Sequence, residues 1–96
     1  VNDQIENRTY SKDLTVLNKV GFHLRVAKTI SEAARRFESE IYLSKDGLTA
    51  NAKSVLGLTS IFAPKGTIIT CSAKGPDARE AVLTIERLFE NKFGEE

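Results

Sequence analysis

The sequence predicts an α+β fold, an open-faced β-α-β-β-α-β-α sandwich, and three observations carry that prediction. Short runs that alternate in polarity are separated by longer runs in which apolar residues return every three or four positions. An Asp46-Gly47 pair, suited to positive φ, divides two of the strand-like runs. Finally, 96 residues at 41% hydrophobic and 28% charged suffice for one core and not for two.

Taken in order, Val1 to Ser11 are mostly polar and without periodicity, so they read as a mobile N-terminal arm preceding a domain over 12–94. Leu14-Thr15-Val16-Leu17 suits the first strand, and Asn18 to His23, which contains Gly21, breaks it as a loop. Ala27, Ile30, Ala34 and Phe37 then recur at helical spacing with Ala33 beside them. Arg25, Lys28, Ser31, Glu32, Arg35 and Arg36 take the wet side of that helix. Ile41-Tyr42-Leu43-Ser44 and Leu48-Thr49-Ala50-Asn51 form a hairpin about Asp46-Gly47. Ser54 precedes a short helix in which Leu58, Ile61 and Phe62 share one face, and Pro64-Lys65-Gly66 ends it. Thr67 to Ala73 is the last strand, with Ile69, Cys71 and Ala73 on one side. Gly75-Pro76-Asp77 opens the final helix, where Asp77 suits the positive end of the helix dipole. Ala78, Ala81, Val82, Ile85, Leu88 and Phe89 form its buried stripe, and Gly94 is its stop.

Composition narrows the function. Fourteen basic and thirteen acidic residues leave a net charge of +1, too small a general field to hold nucleic acid or an anionic membrane surface. Apolar runs fall short of the roughly 18 residues a membrane helix needs, and the N-terminus lacks a hydrophobic core segment for a signal peptide, so a cytoplasmic protein is expected. One cysteine and one histidine offer neither a disulfide nor a zinc constellation, and no metal or cofactor is expected. Cys71 alternates inward with Ile69 and Ala73 and reads as a small buried hydrophobe.

The single histidine lies in Val20-Gly21-Phe22-His23-Leu24-Arg25, between a glycine-containing loop and a helix start. Unpaired N–H groups and the positive dipole end favour an anion there. Imidazole itself titrates near ~6.5, so a neutral ring nitrogen is available to attack a phosphoryl group. Arg25 could offer a planar fork to the phosphate oxygens. Locally, the same residues also fit a plain loop histidine beside a solvated arginine. Leu56 falls opposite Leu58, Ile61 and Phe62 on the short helix, with Val55 near the boundary, so an apolar side chain faces water there as a docking patch would. Arg25 and Lys28, three apart on the first helix, could meet an acidic partner.

Gly21-Phe22-His23-Leu24-Arg25-Val26-Ala27, Ile41-Tyr42-Leu43 with Lys45-Asp46-Gly47, Asn51-Ala52-Lys53-Ser54 with Gly57-Leu58, and Pro64-Lys65-Gly66-Thr67 together resemble the histidine-containing phosphocarrier (HPr) family, in register from about Asp13 to Gly94. The resemblance implies a four-stranded antiparallel sheet covered on one face by three helices. It implies a stoichiometric phosphocarrier rather than an enzyme, monomeric, carrying phosphate from enzyme I on His23 to an enzyme IIA domain in sugar uptake. Arg25 would steady the phosphate, and Ser54 would be the serine that an HPr kinase/phosphorylase modifies in some bacteria. Leu24, Lys28, Val55, Leu56 and Thr59 would form the partner surface. Ser54 is equally suited to be a helix N-cap with no regulatory role.

Phe22, Leu24 and Val26 depart from the usual Gly-Leu-His-Ala-Arg-Pro-Ala pattern. Val26 in place of proline restores a backbone donor, and Leu24 adds bulk beside His23 that could narrow partner choice. Among other readings, an RNA-recognition motif needs aromatic platforms, and Tyr42 is the one aromatic on an expected strand. An acylphosphatase-like enzyme needs an anion loop that is missing apart from the His23 segment. An HPr-like regulator of a kinase or transcription factor would use the same surfaces.

Overall fold

In the computed structural model, which describes residues 8–95, the chain runs β1 (Thr9–Thr15), α1 (Leu24–Ala34), β2 (Glu40–Lys45), β3 (Leu48–Asn51), α2 (Val55–Thr59), β4 (Ile68–Lys74) and α3 (Ala78–Glu90), followed by a 3-10 turn over Lys92–Gly94. The strands form one antiparallel sheet in the order β1-β4-β2-β3. Strand alternation separates its faces. Leu14, Ile69, Cys71, Ala73, Ile41, Leu43 and Ala50 are buried under the helices, whereas Ser11, Ser72, Tyr42 and Ser44 lie on the other face, none of them fully buried. Asp46 and Gly47 both have positive φ (51° and 82°), the geometry a two-residue hairpin demands.

The core is aliphatic with one aromatic end. Val26, Ala27, Ile30, Ala33 and Ala34 form the buried stripe of α1, and Ala78, Ala81, Val82, Ile85 and Phe89 that of α3. Full burial of a side chain such as Ile30, Ile41, Leu43 or Phe89 contributes about 1.5–3 kcal/mol. A partly exposed ion pair such as Lys12–Glu86 (2.8 Å) is screened by water and contributes far less than a buried side chain, so packing and not surface charge holds the sandwich together.

The antiparallel register decides where the site forms. Thr15 at the end of β1 sits opposite Ile68 at the start of β4, and Thr9 opposite Lys74. The α3 helix, leaving the far end of β4, therefore returns its C-terminus to the end of the sheet from which α1 departs. The loop before β4 closes against the loop after β1, through Val16 N–H to Thr67 O (2.9 Å), Gly66 N–H to Val16 O (2.7 Å) and Phe22 N–H to Ala63 O (2.9 Å).

Several expectations need correction. The first strand begins at Thr9, so Thr9, Tyr10 and Ser11 belong to the sheet and not to a mobile arm; Val1 to Asn7 lie outside the described residues. Pairing with β4 supplies their backbone partners, and Lys12, on the covered face, hides the apolar alternation by reaching Glu86 on α3. Ser31 is buried, its hydroxyl donating to Lys28 O (3.1 Å) and accepting from Arg35 Nη2 (3.2 Å). The short helix stops at Thr59, where the hydroxyls of Thr59 and Ser60 donate to the carbonyls of Leu56 and Gly57. Ile61 stays inside, but Phe62 turns outward and is 76% exposed, with the Lys45 ammonium 5.3 Å from its ring centroid. α3 ends at Glu90, ahead of Gly94.

Asp77 caps no N–H of its own helix by its side chain. Its carboxylate instead accepts from Glu38 N–H (3.0 Å), Ser39 N–H (2.9 Å) and the Ser39 hydroxyl, tying α3 to the loop before β2. Burial works to raise the Asp77 pKa, but the Ser39 hydroxyl and the backbone N–H groups of Glu38, Ser39 and Asp77 outweigh it and hold the carboxyl below its ordinary value. A carboxyl depressed in the folded state contributes stability that is complete above the ordinary value of 3.8 and is lost as pH falls through the lower folded value. Asp77→Asn is expected to lower unfolding free energy by about 1 kcal/mol at neutral pH, since solvent screens this part-exposed carboxylate. Urea titrations of the two proteins should converge as pH drops below 3.8.

Candidate functional site

The loop from β1 to α1 is shaped by contacts few residues could make. Asn18, fully buried, donates from Nδ2 to Gly21 O (2.8 Å), and Gly21 N–H donates back to Asn18 O (3.3 Å). Gly21 has φ +82°, and a Cβ there would come within 2.4 Å of Ala63 O and 2.8 Å of Pro64 Cα. Only glycine meets both demands. Phe22 then turns its ring inward, 6.0 Å from the ring of Phe89 and 6.0 Å from that of Phe93. With Gly21 and Phe22 pinned ahead of it, His23 starts the helix in a defined orientation.

His23 is the N-cap of α1, with extended backbone (φ −153°, ψ −178°). Its carbonyl accepts from Ala27 N–H (3.0 Å). Its Nδ1 accepts a long hydrogen bond from Arg25 N–H (3.3 Å), and its Nε2 lies 2.6 Å from Glu95 Oε2. An atom that accepts from an N–H carries a lone pair, so in the neutral ring the proton resides on Nε2, where it is donated to Glu95. The ring remains reachable, with 32% of its side chain exposed.

The first turn of α1 carries no acidic side chain, so its unpaired N–H groups keep their pull on an anion. An open pocket of about 450 Å³ lies beside it, lined by Lys19, Val20, His23, Arg25, Gly94 and Glu95. The histidine and arginine singled out in the sequence thus share one pocket. The Glu95 carboxyl is held below its ordinary value, first by the Asn18 amide and then, against the opposing effect of burial, by His23 and Arg25. It stays ionised beside the ring.

The remaining candidates lie outside that pocket. Leu24 (59% exposed) and Lys28 (exposed) project from α1. Ser54 is the N-cap of α2 and accepts from Gly57 N–H at 3.0 Å. Val55 packs partly against the core, Leu56 is 84% exposed, and Thr59 is exposed. α2 packs against α1, which sets these residues on a surface adjoining the helix that His23 begins. Cys71 is buried, and burial pushes its thiol up to about 12, so it is not a nucleophile at neutral pH.

Sequence reasoning missed Glu95, Asn18, Lys19 and Val20. Glu95 lies past the expected helix stop, 72 positions from His23, and no local pattern connects them.

Residues 10–91 match the family described as PTS HPr component phosphorylation site. The phosphocarrier protein HPr of Treponema pallidum (strain Nichols) is 45% identical over 85 residues, spanning 88% of this chain and 97% of that protein. Among solved structures, HPr-C-His from Thermoanaerobacter tengcongensis superposes with a TM-score of 0.86 at 37% identity, covering 91% of this chain and 98% of that one. The phosphocarrier protein HPr from Bacillus anthracis str. Ames gives 0.81 at 35% identity, covering 86% and 99%. No helix among the described residues is long and apolar enough to cross a membrane. With its open-faced sandwich and a lone histidine at the mouth of a helix, the chain belongs to the HPr family of phosphocarrier proteins of the phosphotransferase system.

Proposed function

We propose that this chain accepts a phosphoryl group on His23 from phospho-enzyme I and passes it to an enzyme IIA domain in sugar uptake, acting as a monomeric cytoplasmic carrier and not as an enzyme. The observation that carries this reading is the solvent-reachable His23 ring at the N-terminus of α1, with its Nδ1 turned toward the first-turn Arg25 N–H. The Nδ1 lone pair attacks the phosphorus of the donor phosphohistidine. The Nδ1–P bond forms as the donor's P–N bond breaks, and the departing imidazole keeps the electron pair. The three phosphoryl oxygens then face the N–H groups of the first turn and the guanidinium of Arg25, which neutralise charge without a metal ion. Passing the group on is the same step reversed on another acceptor.

Leu24, Lys28, Val55, Leu56 and Thr59 supply the docking surface, apolar at Leu56 and cationic at Lys28, suited to an acidic partner with an apolar centre. Leu24, exposed beside His23, makes recipient choice narrower than a small residue would, whereas the buried Val26 acts on the helix start, where it frees a backbone donor that proline would lack. Incubation with phosphoenolpyruvate and enzyme I should yield one acid-labile phosphate per chain, transferable to an enzyme IIA domain; no uptake under conditions that phosphorylate another HPr would reject the carrier role.

Ser54 is the proposed second modification site, for an HPr kinase/phosphorylase. Its hydroxyl already accepts from Gly57 N–H, so Ser54→Ala should cost about 1 kcal/mol through the lost cap alone. A phosphate at that N-terminus is electrostatically welcome, so α2 should persist and the added charge should act on docking beside Leu56. Ser54→Asp is expected to slow uptake at His23 about tenfold, equivalent to roughly 1.4 kcal/mol of docking energy, with unchanged far-UV circular dichroism. Equal uptake rates would remove the regulatory role.

A further inference from the structure

We propose that Glu95 is a positioning residue for His23: a C-terminal strap anchored by Phe93 delivers its carboxylate to Nε2, fixes the ring proton there, and so leaves Nδ1 as the attacking atom. The inference rests on the carrier reading and deepens it by naming what sets the nucleophile.

The strap is built for one placement. After α3 ends, Lys92 (φ 55°), Phe93 (φ 57°) and Gly94 (φ 79°) are left-handed in succession, a conformation two of these residues adopt unwillingly. Phe93 holds it by burying its ring, 5% exposed, against Phe89 (centroids 4.9 Å apart) and Phe22. Gly94 N–H and Glu95 N–H close the turn onto Asn91 O (3.0 Å) and Lys92 O (2.9 Å). Glu95 is then clamped from two sides, Oε1 accepting from Asn18 Nδ2 (2.9 Å) and Oε2 from His23 Nε2 (2.6 Å). Asn18 is itself locked to Gly21 O, so the loop and the strap fix each other. The side chain of Glu95 is 14% exposed, with both carboxylate oxygens turned to protein donors.

The consequence lies in the charge balance of transfer. When Nδ1 bonds to phosphorus and the donor ring leaves with its electron pair, no proton is lost from His23; the ring becomes cationic while Nε2 retains its hydrogen. Among the described residues, the charged groups that share its pocket are Glu95 from the strap, Arg25 from α1 and Lys19 from the loop. Glu95 is the one anion among them and stands where the new positive charge is shared. The carboxylate that orients a catalytic histidine elsewhere acts by the same logic.

The ring nitrogens report this directly. Nitrogen-15 spectra of the neutral His23 ring should place the proton on Nε2 in the native chain. Glu95→Ala should admit the Nδ1–H form and slow phosphoryl uptake about tenfold. Glu95→Gln, which can still accept from Nε2–H, should keep the native proton position and recover part of the rate. Phe93→Ala, with the sheet and helices intact by circular dichroism, should reproduce the Glu95→Ala spectrum because the strap is released. An unchanged ring spectrum with an unchanged rate in Glu95→Ala, or a faster rate, would overturn the proposal. Failure of the native chain to take up phosphate would reject the carrier role instead, and the ring spectra would still decide whether Glu95 sets the proton.

Discussion

His23→Ala is expected to abolish acid-labile phosphate on this chain while leaving a folded domain. No other described side chain combines a neutral nucleophilic nitrogen with a helix N-terminus: the thiol of Cys71 is buried and held in its protonated form, and Ser54 Oγ is engaged in a cap. The substitution also removes the acceptor for Arg25 N–H and the partner of Glu95. A cap lost from a partly exposed helix start costs about 1 kcal/mol, so the unfolding midpoint should fall modestly and not collapse. His23→Asn should restore most of that stability, because asparagine is a good N-cap, and none of the phosphate uptake. Mass spectrometry after incubation with phosphoenolpyruvate and enzyme I checks both variants. Persistent phosphate in either would place the acceptor elsewhere.

Gly21→Ala should cause the second large effect, this time on the fold. Its Cβ would stand 2.4 Å from a backbone oxygen and 2.8 Å from a backbone carbon, in addition to the strain of φ +82°. Neither neighbour is the far end of a flexible side chain, so relief requires the loop before β4 to move away and to break the Phe22 N–H to Ala63 O bond. Roughly 2–4 kcal/mol of destabilisation is expected. Gly66→Ala is the control: it also has positive φ (+94°), but a Cβ there would meet nothing within 4 Å, so only the conformational cost of about 1 kcal/mol applies. Urea midpoints of the two variants measure the difference. Equal shifts would mean that the contact with Ala63 does not constrain the loop. Because Gly21 lies two residues from His23, its replacement should also slow phosphate uptake, whereas Gly66→Ala should leave the rate near native.

Local chemistry made much of this readable in advance. The stripes Ala27-Ile30-Ala34 and Ala81-Val82-Ile85-Phe89 recur with the helical period and are buried as the period requires. Asp46-Gly47 announces its turn through its own φ preferences. His23 stands at a loop-to-helix junction whatever the rest of the chain does. Where the pattern misled, a distant partner intervened. Lys12 breaks the alternation of β1 because its ammonium reaches Glu86, 74 positions on. Asp77 was expected to complement the dipole of its own helix, yet its carboxylate accepts from the N–H and hydroxyl of Ser39, 38 positions away. Phe62 kept the helical spacing after the helix had already ended at Thr59.

What the amino-acid order determined by itself was the sequence of elements, their buried faces, and the placement of one imidazole at the mouth of a helix, since each depends on residues within a turn or two of one another. What the tertiary structure alone decided was which ring nitrogen is free. That depends on Glu95, and Glu95 reaches His23 because β4 runs antiparallel to β1 and α3 returns to the end of the sheet where α1 begins. Periodicity and propensity act over a few residues; a proton on Nε2 is fixed by an acid that only the closed fold brings within hydrogen-bonding distance.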